Sequence, residues 1–372
     1  MQSWIKYLLI FCFVLSGCHK DHPEPVRWAD RTVLVYMVAE NSLNRWTTMN
    51  LDKMLKAFRG EGNLLVYIDN YEGEPRLVKL VMNDNGIASA ETVKTYQERN
   101  SASPDILKQT IDEVCLEYPA SSYGLVLWSH GTGWLPSTLK SRAFGQDGNN
   151  WMELNGLVSA LPDDRFDFIL FDACYMGCVE VAYALRNKTK YLISSPTEIW
   201  EDGFPYDEVV GDWWSGEEAY REMCRKYYDF YNSRAGIYQS GTISLVKTGN
   251  MDALAEATRG ILEGKNEQIV ALDRSAIQRI DRTGSLHWSE ILYDFDDYIS
   301  RLSPTAEQYD TFSRELNRVI LYEAHTASYG NQIFYQKFCG LSSYIPQSKQ
   351  TWLNTFYSGL EWTKAVYGDQ SE

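Results

Sequence analysis

The chain has 372 residues, enough to bury a full core as one large domain or two modest ones; 44% of its residues are hydrophobic and 23% charged. Its formal charge of -15 argues against nucleic acid, because phosphate binding needs a basic stripe and none is visible. The 14% aromatic content is high but assigns no function by itself.

The first eighteen residues stand apart from the fold. Lys6 precedes a short apolar stretch, Tyr7 to Leu15, which cannot span a bilayer as a mature anchor. Leu15-Ser16-Gly17-Cys18 resembles the lipobox of bacterial lipoproteins. That resemblance implies that Cys18 carries a diacylglyceryl group and tethers the chain to a bacterial envelope membrane, with the outer membrane the expected site. Residues 19–30, with Pro23 and Pro25, read as a tether.

From residue 31 to 205 strands and helices alternate. Thr32 to Val38 is a β-branched apolar run, and Leu64 to Ile68 is a second strand buried on both faces. Arg76 to Val81 and Ala88 to Thr95 alternate around Asn83-Asp84-Asn85-Gly86, a hairpin signal. Ser103-Pro104 opens a helix whose apolar positions share one face and which Pro119 ends. Strands follow at Leu125 to Trp128, Phe168 to Asp172 and Tyr191 to Ser195, with a helix at Gly177 to Leu185. This order implies an α/β fold with a largely parallel central sheet between helical layers. Residues 206–372 read as a mostly helical C-terminal subdomain packed on that sheet, with strands at Thr242 to Val246 and Phe338 to Ile345.

Two strands stop at reactive side chains: Trp128-Ser129-His130-Gly131 and Phe171-Asp172-Ala173-Cys174. In an open α/β sheet, functional groups gather beyond the carboxyl ends of the strands, so an imidazole and a thiol can meet there. Gly131 leaves its N–H free to approach a carbonyl, and with the N–H of Cys174 it would make an oxyanion hole. A helix starting just after Cys174 would favour the thiolate. Asp172 lies two residues before Cys174 on the same strand and points the same way. A carboxylate there, lining the first pocket, would select Lys or Arg, and Asp202 in Glu201-Asp202-Gly203 offers a second one at the same rim.

Other chemistries fit poorly. Cys174 and Cys178 lack a second Cys/His pair at zinc spacing, so no metal is expected. No Gly-x-Ser-x-Gly, P-loop or Gly-x-Gly-x-x-Gly occurs. His287 and His325, beside aromatic residues in what read as helices, are expected to be structural. The cysteines outside the leader are odd in number and scattered, which is not a disulfide framework. The competing reading is an anchored binding protein that keeps the fold without catalysis; the intact His130, Gly131 and Cys174 favour an enzyme.

Thr32 to Met37 with Glu40-Asn41-Ser42-Leu43, Trp128 to Trp134, Phe171 to Met176 and Gly203-Phe204-Pro205-Tyr206 together resemble the clostripain family of cysteine peptidases. The resemblance implies a caspase-like three-layer sandwich, a Cys174/His130 dyad, and cleavage of proteins or peptides after Arg or Lys. It implies an acidic first pocket, matched by Asp172 and Asp202. It also implies self-processing between the catalytic strands, where Lys140 and Arg142 are the candidate sites. Some relatives use calcium; the sequence has no calcium loop, Asp147-Gly148-Asn149 being too short. Val38-Ala39-Glu40-Asn41 departs from the family pattern away from the dyad, and Ser195-Pro196-Thr197-Glu198 departs from it where pocket and specificity would be set.

Overall fold

The computed structural model describes residues 28–136, 143–282 and 290–368. Cys18, the tether up to residue 27, the processing candidates Lys140 and Arg142, and His287 lie outside the described residues.

The strands that frame the molecule are β1 (Ala29–Ala39), β2 (Asn63–Asn70), β3 (Gly73–Met82), β4 (Ala88–Thr95), β5 (Ala120–Trp128), β6 (Phe144–Asp147), β7 (Asn150–Met152), β8 (Phe166–Asp172), β9 (Thr189–Ser194), β10 (Thr242–Lys247), β11 (Leu292–Asp294) and β12 (Ile320–His325). Nine of them form one sheet in the order β12-β10-β9-β8-β5-β1-β2-β3-β4. The five central strands, β9 to β2, are parallel, and antiparallel pairs extend both flanks.

Period-two alternation sorts the core into two faces. Val33, Val35 and Met37 of β1 pack with Met54, Phe58 and Trp213 on one side. Leu34, Tyr36 and Val38 pack with Leu107, Ile111 and Val114 on the other. A sheet buried on both faces demands continuous apolar runs in its strands, which is how β1, β2 and β5 read in the sequence. The result is the three-layer α/β sandwich expected from the alternation of elements.

The segment beyond residue 206 supplies helices to both faces. Glu217–Asn232 buries Tyr220, Met223 and Tyr227 against one face, while Met251–Leu262 and Ala306–Val319 cover the other. It also supplies β10 and β12, which continue the main sheet beyond β9. The strand anticipated at 338–345 contracts to Ser342–Tyr344 and pairs with β11 in a separate small sheet. His325 ends β12 rather than lying in a helix; its Nδ1 is 2.8 Å from Thr326 O, and its ring packs against Tyr335 and Phe338.

At the amino-terminal edge of the sheet, buried Arg31 donates to Trp213 O and Ser215 O at 2.6 Å, to Tyr220 Oη at 2.6 Å and to Asp167 Oδ2 at 2.8 Å. Burial alone would raise Asp167, but hydrogen bonds from Tyr220 and Lys190 and the Arg31 charge hold its carboxyl below the usual value.

Candidate active site

β5 and β8 run parallel in a register that pairs Trp128 with Asp172, and the Ser129 N–H donates to Asp172 O at 3.3 Å. Two residues past that last pair stand His130 and Cys174. Ser129 fastens this corner: its Oγ donates to Val38 O at 2.7 Å and accepts from the Gln146 N–H at 3.1 Å. The sheet's carboxyl edge thus brings the two predicted reactive groups to one cavity of about 230 Å³, which Asp172 and Gly203 also line.

Gly131 is a glycine for a steric reason. A Cβ there would lie 2.8 Å from Cys174 O and 3.0 Å from Ala173 Cβ. Gly131 also bridges Phe144, with the bonds running from Thr132 N–H to Ala143 O and from Gly145 N–H to His130 O. Its own N–H is therefore not used by that bridge. The next residue after Cys174, Tyr175, takes φ of +61°, a conformation costly for a bulky side chain, and its N–H is held by Thr197 O at 2.8 Å. This kink turns the chain sharply at the thiol.

Cys174 is engaged at rest by the backbone of one residue. The Ile199 N–H donates to Sγ at 3.3 Å, and Sγ donates to Ile199 O at 3.7 Å. Burial pushes the thiol up to about 12; the Ile199 contact pulls it down in part, and the Glu198 and Asp172 charges add to the rise. The expected thiolate is thus corrected to a neutral thiol. The helix that was to stabilise it starts only at Val179, spans six residues, and has Cys178 at its N-cap.

His130 Nε2 lies 2.9 Å from Ser42 Oγ, and its ring stands 6.2 Å from that of Trp151. Burial lowers its pKa, with the Glu201 carboxylate pulling part of the way back. An imidazole favoured in its neutral form, on the lining of the same cavity as the thiol, can serve as a general base.

Asp172 lines the cavity from a buried position and accepts from Tyr206 Oη at 2.7 Å and the Phe204 N–H at 3.1 Å. Burial raises its pKa to about 6, against those two hydrogen bonds and the Lys53 charge. Gly203 keeps the space in front of it open: a Cβ there would sit 2.5 Å from Asp172 Oδ2, and its φ is +64°. Asp202 differs from its expected place. Its carboxylate pairs with Arg234 at 3.3 Å and does not line the cavity. The other acidic residues on the lining are Glu198, paired with Arg282 at 2.8 Å, and Glu201. Among the described residues, the metal-competent acidic cluster lies outside this cavity.

Residues 35–371 match the model of the clostripain family. Clostripain of Hathewaya histolytica is 26% identical over 217 residues, a match covering 48% of this chain and 41% of that protein, so the chain matches less than half of its length. The solved inactive zymogen of a C11 protease from Parabacteroides distasonis is 40% identical, with a TM-score of 0.82 over 92% of this chain and 99% of that one. A secreted C11 cysteine protease from Bacteroides thetaiotaomicron, solved with an irreversible peptide inhibitor, is 30% identical, with a TM-score of 0.80 over 91% of this chain and 99% of that one. With the family model spanning nearly the whole fold and its carboxyl edge, this chain belongs to the clostripain family of cysteine peptidases.

Proposed function

We propose that the protein is an endopeptidase that cleaves after Arg or Lys through a Cys174/His130 dyad. The observation that carries this reading is the buried Asp172 carboxylate lining the same cavity as His130 and Cys174, with Gly203 leaving its face clear. A guanidinium or ammonium entering there gains a charged partner, and its own charge draws Asp172 to the ionised form.

In the reaction, Cys174 Sγ attacks the scissile carbonyl carbon while His130 takes the thiol proton. The Gly131 and Cys174 N–H groups stabilise the resulting oxyanion. His130 then protonates the leaving amine as the C–N bond breaks, leaving a thioester. Water attacks the thioester with His130 as base, releasing the acid and restoring the thiol. Because both reactive atoms hold other partners at rest, Ile199 must release Sγ before attack.

The deciding experiment compares peptides bearing Arg, Lys, Asp or Asn before the bond, with wild type and Cys174→Ala side by side. Turnover of the Arg and Lys peptides by the wild type alone supports the reading. Equal turnover by both proteins sinks the dyad, preference for Asp or Asn sinks the pocket, and no turnover by either favours a catalytically silent binding protein. Self-processing at Lys140 or Arg142 belongs to the same proposal, tested by whether Lys140→Ala and Arg142→Ala still yield two fragments. The lipid anchor at Cys18 predicts that Cys18→Ala moves the protein out of the membrane fraction.

A further inference from the structure

Among the described residues, the two most exposed large apolar side chains are Leu116 at 79% and Trp28 at 72%, and both stand at the same end of the sheet. Trp28 precedes Ala29, the first residue of β1, whose N–H donates to Pro119 O at 3.1 Å and which pairs with Ala120. Leu116 lies in the last turn of the helix Pro104–Glu117, three residues before that same proline. Ile87, 61% exposed, joins them from the turn between β3 and β4, where Met82 pairs with Ala88 beside the start of β2. All three therefore mark the amino-terminal edge, opposite the catalytic cavity. Single exposed apolar residues are ordinary, but a row of three on the edge where the chain enters the fold calls for a partner.

The length of chain before that edge says what the partner is. Residues 19–27 separate Cys18 from Trp28, and the ten peptide units between them reach at most about 35 Å. β1, with 11 residues, stands about 33 Å tall. Turning the carboxyl edge to a bilayer that holds Cys18 would lift Trp28 by that height and stretch the tether to its limit, at a cost in chain entropy. With the amino-terminal edge down, the tether stays slack. Charge favours the same orientation. At the amino-terminal edge exposed Arg59 and Arg165 are interleaved with exposed Glu61 and Asp164. The carboxyl edge exposes Glu72, Glu98 and Glu201 along with the cavity of Asp172, and phosphate headgroups repel such carboxylates.

We propose that Trp28, Leu116 and Ile87 seat the amino-terminal edge of the sheet in the headgroup layer of the bilayer that anchors the chain, a placement that rests on reading Cys18 as the lipid anchor. Indole suits that layer, because its ring is apolar while its N–H can still meet water or a headgroup. A tether alone leaves the fold free to tumble; this second contact fixes its direction. The catalytic cavity then faces away from the bilayer, about 30 Å above it. Its substrates are polypeptides that arrive from the aqueous side, and a segment lying in the plane of the lipid is out of reach.

The test uses the chain from Cys18 onward with Cys174→Ala, coupled through Cys18 to a maleimide lipid in vesicles containing phosphatidylglycerol. Cys115, Cys178, Cys224 and Cys339 are raised by burial and slow to couple. The result therefore stands whether or not cells lipidate Cys18, which the membrane fraction of Cys18→Ala decides separately. Lipids brominated high on the acyl chain quench indoles that enter the headgroup layer. Emission should fall on brominated vesicles, and Trp28→Phe should remove most of that fall. Leu116→Ser combined with Ile87→Ser should shrink it, while Phe334→Ser, 62% exposed elsewhere, leaves it unchanged. All four positions are exposed, so the variants should melt like the parent chain. Absence of quenching, quenching undiminished by Trp28→Phe, or quenching removed by Trp200→Phe at the cavity would each overturn the placement.

Discussion

At the amino-terminal edge of the central sheet, buried Arg31 pairs with partly buried Asp167, and each of the two charges has partners. At the carboxyl edge, Asp69, Asp172, His130 and Cys174 are also withdrawn from water, but the balance runs the other way. Burial shifts each of them toward its neutral form. The first edge spends its charges on holding the sheet together. The second keeps groups whose charged forms burial disfavours and a bound substrate would favour, which is how a folded scaffold holds chemistry in reserve.

Substitutions at the two edges should therefore separate stability from activity. The largest effect is expected from Cys174→Ala, a loss on the order of 10^6 in kcat/KM on an Arg peptide, with cooperative melting retained. A variant that remained active would undo the contrast. Arg31→Met leaves Asp167 with Tyr220 and Lys190 but strips the Trp213 and Ser215 carbonyls of their donor, and should cost about 1–3 kcal/mol in denaturant unfolding, with kcat per folded molecule unchanged. Asp167 has a lowered folded pKa, so its contribution is present above its unfolded value of 3.8 and fades as pH falls through the lower folded one. Asp167→Asn should flatten that acid limb of the stability curve.

Asp172→Asn should remove about 2–5 kcal/mol of transition-state binding for Arg and Lys peptides and little for uncharged ones. The pH dependence isolates the same group. In wild type, the ratio of kcat/KM for an Arg peptide over an uncharged one should fall as pH drops through about 6, because protonated Asp172 loses its attraction for the cation. The His130 titration cancels in that ratio. For folding the sign is opposite: a raised carboxyl binds its proton more tightly in the folded state, so the Asp172 contribution improves as pH falls toward its unfolded value. Smallest of all, Lys108→Ala breaks an exposed helical pair with Asp112 and should cost about 0.3–0.5 kcal/mol, to be read by thermal melting.

The sheet was legible because both of its faces are buried, which forces continuous apolar runs in β1, β2, β5 and β8. His130, Cys174 and Asp172 were legible because each sits at or just past the end of such a run. What escaped lies between strands. Ile199 reaches Sγ from the connection after β9, and Ser42 meets His130 from the connection after β1; neither approach leaves a local pattern. In Glu201-Asp202-Gly203 the carboxylates drew the eye, while the glycine that clears the face of Asp172 decides the pocket. Helix position failed by two residues after Cys174, and with it the argument for a preformed thiolate. The strand at β12 was obscured because its residues are only partly buried at the sheet's edge.

The backbone clasp of Ile199 on Cys174 also bears on how this sulfur meets oxidants. Peroxide and disulfides react with thiolates, so a thiol pushed up to about 12 is a slow target until a substrate's arrival lets His130 take its proton. Cys115, Cys178, Cys224 and Cys339 are likewise raised by burial, and all five described cysteines are free. An odd set of thiols can thus persist without bridges even where the surroundings are oxidising, and the nucleophile would be exposed to damage chiefly while it is at work.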